Sequence, residues 1–102
     1  MSEPGSQLSV VRNNDGWTFD GEIDAHSAPS LLAALSDFPD APQIVADFSG
    51  VTFMDSSGLR VLVDASVRAR NDGKTLVLAN PQPAIKRVVE ISGLSDQLNV
   101  VD

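Results

Sequence analysis

QIVADFSGVTFMDSSGLRVLVDASVRARNDGKTLVLA, Gln43 to Ala79, holds two short apolar runs separated by a stretch of different period. Gln43 to Phe48 is apolar and bounded by turn residues, which predicts a buried strand. Ser49 and Gly50 make a turn, and Val51 to Met54 either continues extended or packs as a plug beneath the sheet. From Ser57 to Asn71 the step changes to three and four residues. Leu59, Leu62, Val63, Ser66 and Ala69 then share one helical face, and Arg60, Asp64 and Arg68 lie opposite. Asp64 and Arg68 have the spacing of a favourable i,i+4 pair. Gly73 supplies a left-handed stop, and Lys74 to Ala79 is the next strand. Two strands joined through a helix pair in parallel within one sheet, by a right-handed crossover.

The flanks fit around this unit. Residues 1–6, MSEPGS, read as a flexible end, and 7–102 as one domain. Leu8, Val10 and Val11 form a short strand, Asn13 to Gly16 (NNDG) has hairpin-turn chemistry, and Trp17, Phe19 and Gly21 give an antiparallel partner strand. In EIDAHSAPSLLAALSDFPD a loop leads into a helix, with Ser27 as N-cap, Pro29 in the first turn, and Leu31, Leu32 and Leu35 on the buried face. Pro83 opens a last helix with Ile85, Val88, Val89 and Ile91 inward and Gly93 at its end, and Leu98 to Val101 is either an edge strand or a helical tail. The expected fold class is α/β: a single small domain, with a mixed sheet of about four to five strands covered by about three to four helices.

Composition narrows the function. A chain of 102 residues, 42% hydrophobic and 21% charged, is long enough to bury one core. It has no cysteine, which excludes disulfides and thiolate metal sites, and its single histidine, His26, argues against an imidazole zinc site. No basic and apolar leader and no run of membrane-spanning length is present, so a cytoplasmic protein is expected. The net charge is −7; residues 1–59 carry nine acids against Arg12, and residues 60–102 carry six bases against five acids. Such a surface suits a basic protein partner better than nucleic acid or a membrane, and acidity also keeps a small protein soluble.

The densest cluster of functional side chains is FMDSSGL, Phe53 to Leu59. With a strand leading in and a helix starting near Ser57, Asp55, Ser56 and Ser57 stand at a helix N-terminus, where one hydroxyl can cap at about 1 kcal/mol. Capping accounts for one serine beside Gly58 and leaves the second over. A phosphoryl group on Ser56 would add about −1.5 to −2 charges beside Asp55 and Asp24, and oppose a partner presenting acids or a close-packed apolar patch.

FMDSSGL resembles the phosphorylation motif of the STAS domain, in particular that of bacterial anti-sigma factor antagonists. GEID (Gly21 to Asp24), QIVADFSGVTFMD and PAIKRVVEISGL (Pro83 to Leu94) agree in the same order, so the resemblance spans almost the whole chain. It implies a regulator and not an enzyme. The unphosphorylated antagonist binds an anti-sigma factor that is also a serine kinase and frees a sigma factor; phosphorylation with ATP releases it, and a metal-dependent serine phosphatase resets it. The antagonist itself needs no metal or cofactor. The phosphoacceptor is then Ser56, with Ser57 and Gly58 opening the helix and Asp24 contributing to kinase contact. The stripe Ser57, Val61, Ala65 and Arg68, with Val61 partly exposed, is the expected partner-facing surface together with Asp24, Asp55, Ser56 and Gly58. Arg60 departs from the family pattern, which has a small residue there; it can pair with a phosphate on Ser56 or with Asp64. The lack of a long tail argues against a fused sensor, and a non-switching STAS adaptor of a lipid-transport or signalling complex is the alternative, its SSG stretch only a helix cap.

Two other site chemistries compete. A serine hydrolase would use Ser56, His26 and either Asp24 or Asp55, but the motif is not a G-x-S-x-G elbow and His26 sits in a polar loop. A nucleotide site at the Ser57 helix start lacks a GxxxxGK[ST] loop, and Asp55 would repel the ligand.

Overall fold

The computed structural model describes residues 8–102; the expected flexible end, residues 1–6, and residue 7 lie outside the described residues. Strand β1 (Leu8–Asn13) turns at Asn14 and Asp15 into β2 (Gly16–Ile23), and the two pair antiparallel. Helix α1 (Ala28–Ala34) leads to β3 (Gln43–Met54), α2 (Ser56–Asn71) to β4 (Thr75–Ala79), and α3 (Pro83–Ser92) through a 3-10 turn, Ser95–Gln97, to β5 (Asn99–Val101). The sheet order is β1-β2-β3-β4-β5, with every pair after the first parallel. The mixed α/β architecture is the expected one. Val51 to Met54 is not a plug: β3 runs extended for 12 residues, pairing with β4 over its first part, Gln43 to Asp47, and with β2 to its last residue, Met54. The C-terminal tail is the edge strand β5.

Gly16 serves a purpose other than the turn. Among the described residues, Gly21, Gly73, Gly93 and Asn80 have positive φ, so the Asn14 and Asp15 turn needs no left-handed residue. At Gly16 the backbone of β3 comes so close that a Cβ would lie 1.8 Å from the Val45 carbonyl oxygen, while Val45 N–H donates to the Asp15 carbonyl at 2.8 Å. The glycine thus permits the parallel junction between β2 and β3.

Strand residues enter one core: Trp17, Phe19 and Ile23 from β2, then Ile44, Ala46 and Phe48 in alternation and, past the register shifts with β2, Val51 and Met54 from β3. Phe19 and Phe48 meet edge to face at 5.4 Å. Leu31, Leu35, Leu62, Ala65, Ile85 and Val89 from the three helices join the same cluster, so all helices cover one face of the sheet. The short dimension of the molecule, 20 Å, agrees with two layers of roughly 10 Å each.

Several expected orientations are corrected. Leu31 and Leu35 are buried, but Leu32 lies about 100° around α1 and is half exposed. Ile91 is 79% exposed, because Ile85 and Val89 already define the inner face of α3. Ala65, placed by spacing on the partner-facing stripe, is fully buried: α2 packs on the sheet and on α1 together, which widens its buried arc. Arg68 does not pair with Asp64; its guanidinium donates to the Leu35 carbonyl at 3.1 Å and lies 5.2 Å over the Phe38 ring. Among the described residues the ion pairs are Arg12–Asp37 at 3.7 Å and Lys86–Asp102 at 2.8 Å, so Arg60 has no ion pair with Asp64.

Candidate functional site

The parallel register of β2 and β3 aligns Glu22 with Phe53 and Ile23 with Met54. Asp55 N–H then donates to the Ile23 carbonyl at 3.0 Å, which ties the start of α2 to the strand end carrying Asp24. Two loops at the carboxyl ends of adjacent parallel strands are thereby brought side by side, the place where open α/β sheets present their sites.

In the first loop the acid holds the turn that leads into α1. Asp24 Oδ1 accepts from His26 N–H at 2.9 Å and Ser27 N–H at 3.0 Å, and Ser27 Oγ accepts from Asp24 N–H at 3.0 Å while donating to the Glu22 carbonyl at 2.9 Å. Ser27 stands at the N-cap position of α1, as expected, but its buried hydroxyl makes no cap bond to the helix; it is held instead in this reciprocal pairing with Asp24. The Ser27 N–H bond, the largest cause, with that of His26, holds the Asp24 carboxyl below its usual range against a smaller desolvation. A carboxyl that binds its proton more weakly when folded stabilises the fold above its unfolded value and loses that contribution as pH falls through the lower folded value. Asp24→Asn retains a capping oxygen and cannot ionise. Urea melts of wild type should therefore weaken more steeply than those of Asp24→Asn below about pH 4, and equal slopes would show that this carboxyl is not linked to folding.

The second loop repeats the device. Asp55 has extended backbone (φ −104°, ψ −171°), and its Oδ1 accepts from Ser57 N–H at 2.9 Å. The helix therefore begins at Ser56, one residue earlier than expected, and neither serine is its cap. Gly58 is buried where a Cβ would lie 2.4 Å from Ile23 Cγ2 and 2.9 Å from Met54 Cγ, so only glycine lets α2 settle this close to the strand ends. Ser57 is half buried. Ser56 is exposed, and its hydroxyl makes no hydrogen bond among the described residues. It borders a depression of about 270 Å³ that also involves Leu59, Arg60, Val63, Asp64 and Leu94. Val61 is half buried against the core, so a charge placed there also disturbs packing.

The structure thus brings Asp24, Asp55, Ser56, Ser57 and Gly58 together, keeps Val61 at their margin, and removes Ala65 from the surface. Sequence reasoning missed the cap role of Asp55 and the turn that Asp24 holds ahead of α1; the D-x-x-S spacing of Asp24 and Ser27 was the available signal for the second. No hydrolase relay forms: His26 is exposed, and its ring makes no hydrogen bond to Ser56 among the described residues. No cluster of three or more potential metal ligands occurs among the described residues, and no helix there is long and apolar enough to cross a membrane. A cleft of about 420 Å³ lies at the far end of α2, where Arg68 and Lys74 already donate to the Leu35 and Ala41 carbonyls.

Known proteins agree with this geometry. The model of the STAS domain matches residues 10–102. An anti-sigma-B factor antagonist of Listeria monocytogenes is 39% identical over 82 residues, 78% of this chain and 72% of its own length. Among solved structures, an anti-sigma factor antagonist from Mycobacterium paratuberculosis is 27% identical, with a TM-score of 0.75 over 99% of this chain and 90% of its own. The Bacillus cell fate determinant SpoIIAA, solved in a phosphorylated form, shares the fold at 21% identity, with a TM-score of 0.66 over 94% of this chain and 92% of its own.

Proposed function

This chain belongs to the STAS domain family, and from that premise we propose that it is an anti-sigma factor antagonist whose binding to an anti-sigma serine kinase is switched off by a phosphate on Ser56. The observation that carries the reading is the division of labour at the α2 start. Asp55 performs the capping, which leaves the exposed Ser56 hydroxyl without a structural task. A phosphate there projects into solvent and leaves the fold unchanged, while adding about −1.5 to −2 charges next to Asp55 and the Asp24 loop. A kinase surface that accepts this acidic corner unmodified is repelled once the charge of Asp24 and Asp55 is roughly doubled, and desolvating a dianion adds to the penalty.

In this reading Asp24, Asp55, Ser56, Ser57 and Gly58 form the contact surface, with Val61 at its edge, and the chain is a cytoplasmic regulator, not an enzyme. It supplies a hydroxyl and geometry; the base, metal and ATP belong to the kinase, and a serine phosphatase restores the binding form. In support, the Listeria relative is an anti-sigma-B factor antagonist, and SpoIIAA, which shares the fold, is solved in a phosphorylated form. Incubation with ATP and the anti-sigma kinase that copurifies with the unmodified chain should place one phosphate on Ser56, located by fragment mass spectrometry. None should appear on Ser56→Ala. A phosphate on Ser57, or none on either serine, would return the motif to a helix start in a non-switching adaptor.

A further inference from the structure

The face of the sheet opposite the helices has an arrangement that the Ser56 corner does not explain. Four of the five strands are parallel, and parallel sheets are normally covered on both faces. Here all three helices share one core cluster on one side, and none of the described residues forms a layer on the other. Register aligns a row across the entire bare face: Val11, Thr18, Asp47, Ala79 and Val101. Beside it runs Asn13, Gly16, Val45, Val77 and Asn99, apolar at its centre and polar at its two ends. Val11 is 60% exposed and Val101 50% exposed at the two ends of the row. Val77 is shielded from water yet stands outside the helix-side core cluster.

The charge of this face has one sign. Asp20, Glu22 and Asp47 alternate with the core residues Phe19, Ile23 and Ala46 and so project from the bare side. The only basic residue in any described strand is Arg12, and its guanidinium sits 5.9 Å over the buried Trp17 ring on the helix side. Strands are spaced roughly 4.8 Å apart, so the five-residue row extends roughly 19 Å, the length of three to four helical turns.

We propose that this bare face docks an amphipathic helix of another protein, one whose apolar stripe is bordered by Lys and Arg. Such a helix supplies the missing third layer, its stripe resting on Val45, Val77, Ala79 and Val101 and its cations on Asp47, within the row, and on Asp20 and Glu22 farther along β2. A second copy fits poorly, because a two-fold contact would set these acids against themselves. Nucleic acid and anionic lipid are repelled for the same reason. The surface lies on the side of the sheet away from α2, and the inference stands whether or not Ser56 is phosphorylated.

The test is an amide NMR titration of the full chain with a short synthetic helix bearing a leucine stripe flanked by lysines. Saturable shifts of Thr18, Val45, Asp47, Val77 and Ala79 are expected, with affinity about tenfold weaker for Asp20→Lys/Asp47→Lys and no such shifts with a glutamate-flanked peptide. If the double variant fails to fold by circular dichroism, Asp47→Asn replaces it, with a smaller loss expected. Shifts confined to the helices, affinity unchanged by the substitutions, self-association through these amides without peptide, or contacts from residues 1–7 to them would each overturn the proposal.

Discussion

Gly16→Ala is expected to lower the stability of the domain by about 3 kcal/mol and its Tm by about 12–24 °C. The added methyl would occupy the position of the Val45 carbonyl oxygen, 1.8 Å away, and the obstacle is backbone, which cannot rotate aside as a side chain end can. Relief requires β3 to move from β2 where the parallel ladder begins, which disturbs the Val45 to Asp15 hydrogen bond and the register that places Asp55 beside Ile23. Gly73→Ala is the control. That residue holds φ +74° with nothing within 4 Å of its would-be Cβ, so its cost is the backbone strain alone, about 1 kcal/mol. Equal losses for the two variants in thermal and urea melts would show that β3 yields freely at Val45, and that the junction is not what fixes the site.

Ser56→Asp should weaken binding to the anti-sigma partner by about tenfold or more, while Ser56→Ala keeps it within about twofold. The alanine removes a hydroxyl with no partner among the described residues, whereas the aspartate adds a carboxylate beside Asp55 and the Asp24 loop. Both variants should melt with wild type, since Ser56 is exposed and Asp55 still caps α2. A loss of affinity for Ser56→Ala equal to that for Ser56→Asp would mean that the hydroxyl is itself a contact and that charge is not the switch.

The β3-α2-β4 unit was legible because its two periods are clean and Gly73 marks the helix end. The pairing of β2 with β3 was not, since it depends on a backbone approach at Gly16 and on two register shifts, between Thr18 and Asp20 and between Gly21 and Glu22. At the site, the motif pointed to Ser56 but not to the cap. Asp, Ser and Ser are all good N-cap residues, and the extended backbone of Asp55 decides which one caps. Ala65 was misplaced because a small residue fits an exposed face and a tight contact equally well; the docking of α1 on α2, a tertiary event, chose between them. Asp24 was assigned a partner contact from the family resemblance; what the structure adds is a local role, its carboxylate accepting from His26 and Ser27 N–H.

The central claim is that charge on one exposed hydroxyl, without refolding, controls partner binding. Its most direct test is a calorimetric titration of the anti-sigma kinase with the unmodified chain and with the chain carrying a single phosphate on Ser56, alongside melts of both. The account predicts an affinity loss of about a hundredfold or more with no drop in Tm, because the dianion faces solvent in the free domain and the partner's surface in the complex. Equal affinity of the two forms, or a loss that appears only with a lowered Tm, would contradict it.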